Sequence, residues 1–214
     1  MRHKIAALSA FALALAVLPA RAAASDLIVN GSFDTDIAGW TAVNTIDCGY
    51  AWLDTPEPGL TGGYVAAASG LISDTCGFYQ DVTLPAGTTN TLTVTLGTTS
   101  NFTSAQDVGR LQIRDTSNVV LETLYTHNGS ISRPDPIVSR GPYNLDAYAG
   151  QTIRIYFEAA HIIDLYNQRI DNVVLNSSPA PAPVPTLSEW AMILMGLTLA
   201  GGAVVMIQRR RMAG

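Results

Sequence analysis

The sequence is poor in basic residues. Lys4 is its only lysine, and residues 26–178 hold 16 Asp and Glu against 6 Arg. All six arginines follow Val108, so the first part of this segment carries acidic side chains alone. Nucleic-acid binding depends on clustered Lys and Arg, so the composition excludes a nucleic-acid partner. An acidic surface favours cations over anions, although solubility alone accounts for most of these acids.

The residues that build metal and nucleophilic sites are also scarce. The chain has 2 cysteines and 3 histidines, with no Cys-x-x-Cys pair and no Cys/His cluster, which argues against zinc and thiol redox chemistry. His161 and Asp164 are neighbours in sequence, but no nucleophile-elbow or zinc motif surrounds them. We predict that the chain is not an enzyme. A small secreted hydrolase stays open as the least favoured alternative, because two catalytic carboxylates can lie far apart in sequence.

The first 24 residues have the three parts of a secretory signal peptide. A basic tetrapeptide precedes an apolar run at residues 5–18, and small residues with Ala-x-Ala spacing follow up to Ala24. This run of 14 residues is shorter than the roughly 20 that a spanning helix needs, which favours cleavage over an uncleaved anchor.

Export determines the expected state of the two cysteines. Cys48 and Cys76 both lie in the exported body, where thiols tend to be oxidised, so we predict a disulfide between them. It would close a loop of 27 intervening residues. On the chain-entropy account such a bond stabilises the fold by about 3 kcal/mol.

Residues 190–207 form a second apolar run, of 18 residues without a charge. As a helix at about 1.5 Å per residue this run covers roughly 27 Å, close to the thickness of the hydrocarbon core. No polar face interrupts it, which favours a transmembrane helix over a buried core helix. Arg209, Arg210 and Arg211 follow it and are expected to stay on the cytoplasmic side, leaving the body outside. Residues 177–185 alternate proline with small residues and predict a semi-rigid stalk.

Between these ends the sequence consists of short alternating runs separated by turn-forming residues. In residues 90–98, NTLTVTLGT, apolar side chains and threonines alternate. The same period recurs in GFYQDVTL (77–84), QTIRIYFEA (151–159) and RIDNVVL (169–175). No comparable stretch has sustained helical periodicity. The pattern predicts an all-β body at residues 25–176, a single antiparallel β-sandwich.

Three of these stretches resemble carbohydrate-binding, galactose-binding-like jelly rolls. They are DLIVNGSFDTDIAGW (26–40), FYQDVTLPAGTTNTLTVTLG (78–97) and LDAYAGQTIRIYFEA (145–159) with the closing RIDNVVL. The resemblance implies a jelly-roll topology in which the first and last strands lie close together. It also implies a structural calcium held by Asp34, Asp171 and main-chain carbonyls, since calcium prefers six to eight oxygens. The alternative is that one carboxylate caps a turn and the other faces solvent.

The resemblance further implies a glycan ligand. Modules of this kind stack aromatic rings on sugars, and the candidates here are Tyr79, Tyr156 and Trp52. Tyr79 and Tyr156 occupy the outward phase of their alternating runs. Tyrosines on strands also arise from β propensity and cross-strand packing alone, so a structural matrix or biofilm component without sugar binding remains the main alternative.

The tail, residues 184–214, resembles the bacterial IPTL-CTERM sorting signal, a relative of the PEP-CTERM group. Pro185, Thr186, Leu187 and Trp190 match the motif, while Val184 replaces the usual Ile. The resemblance implies that the chain is cargo of an exosortase-like membrane transpeptidase. A plain single-pass anchor is the alternative. The sequence thus predicts an exported, single-pass, cell-surface protein with a calcium-stabilised, glycan-binding β-sandwich.

Overall fold

A computed structural model describes residues 23–69, 72–98, 106–128, 135–161, 167–181 and 187–212. The chain forms two compact units, Met1–Pro179 and Ala180–Gly214. Nearly all of the predicted signal peptide, residues 1–22, lies outside the described residues.

The described part of the first unit is built from strands. In chain order they are β1 Ser25–Asp26, β2 Thr41–Val43, β3 Cys48–Leu53, β4 Tyr64–Ser69, β5 Asp74–Thr83, β6 Thr88–Thr98, β7 Val108–Arg114, β8 Val120–Asn128, β9 Val138–Asn144, β10 Thr152–His161 and β11 Gln168–Pro179, with a 3-10 turn at Asp146–Tyr148 between β9 and β10.

The strands form two antiparallel sheets. The six-stranded sheet has the order β3-β4-β11-β6-β9, with β1 also pairing with β11, and the five-stranded sheet has the order β2-β5-β10-β7-β8. Neighbours in each sheet are mostly distant in sequence, and the first strand pairs with the last. The predicted all-β, antiparallel sandwich is confirmed.

The core lies between the sheets and follows the period-2 pattern. Leu92, Val94 and Leu96 of β6 are fully buried, as are Ile153, Ile155 and Phe157 of β10. Aromatic rings fill the centre, with Trp40 stacked on Phe78 at a centroid distance of 4.9 Å. Burial of these side chains contributes roughly 1.5–3 kcal/mol each, so the alternating sequence accounts for much of the stability of the sandwich.

The segment between β1 and β2 is fixed to the core. Phe33 is fully buried although its φ is +50°, and Asn30 has φ +52°. The Trp40 indole donates to the carbonyl of Val29. Gln80 of β5 accepts from the Val29 N–H at 2.9 Å and donates to its carbonyl. A buried polar side chain paired in this way holds the loop in one position.

The predicted disulfide between Cys48 and Cys76 is confirmed, with an S–S distance of 2.04 Å. Cys48 lies on β3 of the six-stranded sheet and Cys76 on β5 of the five-stranded sheet. The bond therefore joins the two layers of the sandwich.

Strand pairing continues into residues predicted to form the stalk. β11 runs to Pro179, and Ser177 pairs with Asn90 of β6 and with Ser25 of β1. The hydroxyls of Thr89 and Ser178 lie 2.9 Å apart. Side-chain and main-chain pairing thus carries the sheet past the predicted boundary at residue 176, while residues 182–185 of the stalk lie outside the described part.

The described part of the second unit is one helix, α1, Leu187–Met212. The segment Glu189–Met212 contains an 18-residue window with a mean hydropathy of 2.1, and by length and composition the segment is able to cross a membrane. Arg209, Arg210 and Arg211 occupy the last turn. The predicted span, residues 190–207, lies wholly within α1.

Candidate functional sites

The first candidate site surrounds the buried carboxylate of Asp171. Asp171 is fully buried on β11, just before an irregularity in the pairing of β11 with β6. Its oxygens accept hydrogen bonds from the main-chain and side-chain nitrogens of Asn172, at 2.7 and 2.9 Å. The pKa of Asp171 is raised to about 6, mainly by burial and to a smaller extent by the charge of Asp34, while hydrogen bonds from Asn172 and Thr61 lower it. Burying the ionised carboxylate of Asp171 is therefore unfavourable, and a bound cation would offset the cost of removing its charge from water.

Asp34 supplies the second carboxylate of this site. Its charge acts on Asp171, and Ser32 donates to its Oδ2 at 2.8 Å. A Cβ added at Gly62 would lie 3.4 Å from its Oδ1. Among the described residues, neither Asp34 nor Asp171 forms an ion pair with a basic side chain. The structure thus brings together the two carboxylates predicted from the sequence, and no basic side chain in the described part of the chain pairs with either charge.

Three segments converge at this site. The indole of Trp52 donates to the carbonyl of Phe33 at 2.6 Å, and the N–H of Val173 donates to the carbonyl of Gly31 at 2.9 Å. A Cβ at Gly63 would lie 2.3 Å from the Phe33 carbonyl, so only glycine allows this approach. The loop at residues 54–63, the loop that follows β1, and β11 are therefore held together around the carboxylates.

The donor set suits a hard cation. Carboxylates and main-chain carbonyls are the oxygen ligands that calcium prefers. No group of three or more His, Cys, Asp or Glu side chains is arranged to hold a metal in the described ranges. A cation bound by Asp34 and Asp171 would need carbonyl or water oxygens to complete its coordination.

The second candidate site is the outer face of the five-stranded sheet. Tyr79 and Tyr156 are direct partners across β5 and β10, and their rings stack with centroids 5.8 Å apart. The Arg154 guanidinium lies 3.7 Å from the Tyr79 centroid, and Arg114 lies 3.6 Å from that of Tyr156. Both rings therefore already contact a cation, and Tyr156 is 7% exposed.

The same arginines are fixed by acids. Arg154 is hydrogen-bonded to both oxygens of Asp81, at 2.7 and 2.9 Å, and Arg114 bonds to Glu158 at 2.6 Å. Arg110 also pairs with Glu158. Ion pairs and cation–π contacts together hold the side chains of this face in place. We call the row formed by Tyr79, Tyr156, Arg154 and Arg114 the tyrosine ladder. Trp52 does not belong to it, because it lies on β3 of the other sheet and packs partly against the core.

The third candidate is a cavity of about 420 Å³ on the six-stranded side. Its walls are Glu57, Pro58 and Gly59 from the β3–β4 loop, Thr98 at the end of β6, and Asp135, Pro136 and Ile137 before β9. No pattern in the sequence predicted this cavity. Its only sequence signals are the two short segments that pair an acid with proline, PEPG at residues 56–59 and PDPI at residues 134–137.

The two histidines of the body lie on different strands. His161 is buried on β10, and its Nε2 lies 3.9 Å from a carboxylate oxygen of Asp47. His127 lies on β8, and Asp164 lies outside the described residues.

The sorting motif lies only partly in the described chain. Val184, Pro185 and Thr186 fall outside it, Leu187 begins α1, and Trp190 is half exposed. The motif is thus directly continuous with the apolar helix.

Comparison with known proteins identifies solved structures of similar fold. The enzymatically active domain of bacteriophage CBA120 tailspike protein 4 shares 14% identity over 70% of this chain and 21% of its own, with a TM-score of 0.47. TmCBM61, solved with β-1,4-galactotriose, shares 16% over 71% of this chain and 97% of its own, with a TM-score of 0.47. A Stig cyclase from Fischerella sp. TAU shares 16% identity over 74% of this chain and 100% of its own, with a TM-score of 0.47. None of the curated proteins matches the chain.

The tail matches a known family. The IPTL-CTERM motif covers residues 182–211, a range that includes the predicted motif, most of α1 and the three arginines. The predicted sorting signal is confirmed. Residues 182–211 therefore carry an IPTL-CTERM motif, and the chain fits a membrane-anchored or exported protein.

Proposed function

We propose that this chain is an exported cell-surface protein, sorted by an exosortase-like membrane transpeptidase, whose calcium-stabilised β-sandwich binds glycans. The observation that carries the proposal is the IPTL-CTERM match over residues 182–211, continuous with an apolar helix that ends in three arginines. Positive charge is retained in the cytoplasm, so the helix leaves the sandwich outside. A motif at the start of the helix is then presented at the membrane surface, where a membrane enzyme reaches it.

Sorting is tested by changing the motif in the full chain. Pro185→Ala with Thr186→Ala should leave the protein in the membrane fraction, whereas the wild type is processed and released to the surface in a host that has the transpeptidase. Thr198→Ala, within the same helix, is the matched control and should be processed normally. Equal retention of all three proteins in the membrane fraction of that host would show that the tail is a plain anchor. Equal processing of all three would show that Pro185 and Thr186 are not what the enzyme recognises.

The calcium proposal rests on Asp34 and Asp171, two neighbouring carboxylates with no basic partner among the described residues. Bound calcium would neutralise both charges and hold the three converging segments together. The role assigned to it is structural, because the site lies among loop anchors such as the bond from Trp52 to Phe33.

Asp34→Asn and Asp171→Asn should lower the melting temperature in calcium but not in chelator. Asp36→Asn is the matched control, since Asp36 lies in the same loop and accepts hydrogen bonds from Ala38 and Asn30. That variant should lose the same stability in both conditions. If Asp34→Asn and Asp171→Asn also lose equal stability in both, the calcium assignment fails.

Glycan binding is proposed for the sandwich, with Tyr79, Tyr156 and Trp52 as the aromatic candidates from the sequence. The test is binding of the full chain in detergent to polysaccharides and cell-envelope glycans, with and without calcium. Saturable binding supports the proposal, and release of soluble sugar would identify a hydrolase instead.

A matrix component without sugar binding is the second candidate, and one observation favours it. Val120 and Leu121 at the start of the edge strand β8, with Val119 before them, are 46, 44 and 58% exposed. Exposed apolar edges favour strand addition between copies. Binding to no glycan, together with concentration-dependent assembly that Leu121→Lys abolishes, would support this candidate.

A further inference from the structure

The cavity near Glu57 and Asp135 has the properties of a small-ligand site. Its volume of about 420 Å³ falls within the range of roughly 300–1,000 Å³ that is usual for ligand pockets. Two prolines and Ile137 form an apolar wall, and two carboxylates and the Thr98 segment supply polar groups. This combination of an apolar wall and a few convergent polar groups is what small-molecule sites require.

Each of the two carboxylates that line the cavity forms an ion pair with an arginine. Asp135 pairs with Arg140 and accepts from the hydroxyl of Tyr125. Glu57 lies 3.7 Å from Nε of Arg169. Each of these two negative charges therefore has a positive partner. A compensated pair has little preference for a cation, but its oxygens still accept hydrogen bonds.

Accepting oxygens remain on both side chains. The bonds from Arg140 and Tyr125 both reach Oδ2 of Asp135, and no donor among the described residues makes a hydrogen bond to Oδ1. Within the described ranges, no donor makes a hydrogen bond to the Glu57 carboxylate, because its contact with Arg169 is longer than a hydrogen bond. A ligand with several hydroxyl groups would donate to these oxygens.

The walls are held in place before any ligand binds. The N–H of Thr98 donates to the carbonyl of Asp135 at 3.0 Å. Arg140 donates to the carbonyls of Leu96 and Pro136 at 3.0 and 3.1 Å. Added Cβ atoms at Gly59 and Gly97 would each lie 2.6 Å from main-chain atoms of residues 136–137. Pre-organisation of this kind lowers the cost of ordering the site on binding.

We infer that this cavity, rather than the tyrosine ladder, binds a short neutral saccharide, with Glu57 and Asp135 accepting hydrogen bonds from its hydroxyls and Pro58, Pro136 and Ile137 contacting its C–H face. The inference rests on the proposed glycan-binding function and assigns that function to a site. Compensated charge favours neutral sugars over both anionic and cationic ones.

The test is calorimetric titration of the full chain in detergent, in calcium, with trisaccharides of four kinds: neutral galactose or glucose, neutral N-acetylglucosamine, anionic galacturonate and cationic glucosamine. A neutral trisaccharide should bind and the two charged classes should bind at least about tenfold more weakly. Glu57→Gln and Asp135→Asn should each weaken binding by about tenfold or more, the effect of a lost hydrogen bond to a charged group.

Glu158→Gln is the matched control, because Glu158 is also a partly buried carboxylate paired with arginines, but on the other sheet. The saccharide affinity of Glu158→Gln should stay within about twofold of that of the wild type. If sugars bind and Tyr79→Ala or Tyr156→Ala abolishes binding while Glu57→Gln does not, the cavity assignment is overturned and glycan binding stands. If folded wild-type protein binds no saccharide of any class, the cavity assignment and the glycan function both fail.

Discussion

The indole N–H of Trp52 donates to the main-chain carbonyl of Phe33 at 2.6 Å. The bond links β3 to the loop that follows β1, beside the carboxylates of Asp34 and Asp171. Trp52 also packs partly against the core. An aromatic side chain that the sequence offers as a sugar platform therefore has a clear structural role.

Replacing Trp52 with Phe tests that role. Trp52→Phe keeps a ring against the core but removes the donor, so we expect a loss of about 1 kcal/mol of unfolding free energy, or about 2–4 °C in melting temperature. Glycan affinity of the folded variant should not change. A variant with wild-type stability and lost sugar binding would instead make Trp52 a ligand contact.

Calcium removal should loosen one loop more than the rest of the sandwich. The main chain of Thr61 lies close enough to Asp171 to lower the pKa of its carboxyl, and Gly62 and Gly63 approach Asp34 and Phe33. Without a cation the two carboxylates repel each other, so we expect faster hydrogen exchange at residues 54–63 in chelator. Exchange in β5 and β10, which are anchored by core residues such as Phe78 and Phe157, should not change. A uniform increase over both sheets would contradict a local role for the cation.

The raised pKa of Asp171 predicts a pH dependence of stability. The pKa is about 6 in the folded chain against 3.8 for an ordinary Asp, mainly because the carboxyl is buried. The folded state thus holds this proton more tightly than the unfolded state. The contribution of the group to the free energy of unfolding is therefore highest below about pH 4, falls up to about pH 6, and is constant above that.

Asp171→Asn removes this titration. In chelator, the unfolding free energy of the wild type minus that of Asp171→Asn should fall between about pH 4 and pH 6. Urea unfolding at several pH values measures the difference. Calcium should oppose the fall, because it binds the ionised carboxylate. A difference that does not change with pH would show that the folded carboxyl is as easily ionised as the unfolded one.

The sequence predicted features that depend on local pattern. Alternation placed Leu92, Val94 and Leu96 in the core, because side chains alternate between the faces of a strand. The sorting motif is linear and needed no fold. Asp34 and Asp171 were paired through a resemblance that implied adjacent first and last strands, and β1 does pair with β11.

Features that depend on register and close approach were not predicted. Alternation gave Tyr79 and Tyr156 the outward phase, but their stacking follows from the register of β5 with β10. The cavity depends on Gly59 and Gly97, because a Cβ atom at either position would clash with main-chain atoms of residues 136–137. No sequence pattern around either glycine indicates that contact. It could therefore not be inferred from the sequence that Glu57 and Asp135 line the same cavity.

Substitutions at Gly97 and Gly77 distinguish the cavity from the tyrosine ladder as the site of saccharide binding. A Cβ at Gly97 would lie 2.6 Å from the Ile137 Cα and the Pro136 carbonyl oxygen, whereas a Cβ at Gly77 would meet the Tyr156 hydroxyl at 1.8 Å. Gly97→Ala should push the wall of the cavity outward, and Gly77→Ala should displace the end of one ring of the ladder. Each change should cost about 1–3 kcal/mol of stability, as overpacking does.

Their effects on saccharide binding should differ. If the ligand occupies the cavity, Gly97→Ala weakens binding in the folded protein and Gly77→Ala does not. If the ligand lies on the tyrosine ladder, the order is reversed. Circular dichroism and thermal melts of both variants establish folding and matched stability before titration, so that an affinity change reports the face concerned. Equal losses in the two variants would mean that binding follows global stability, and neither face would then be supported.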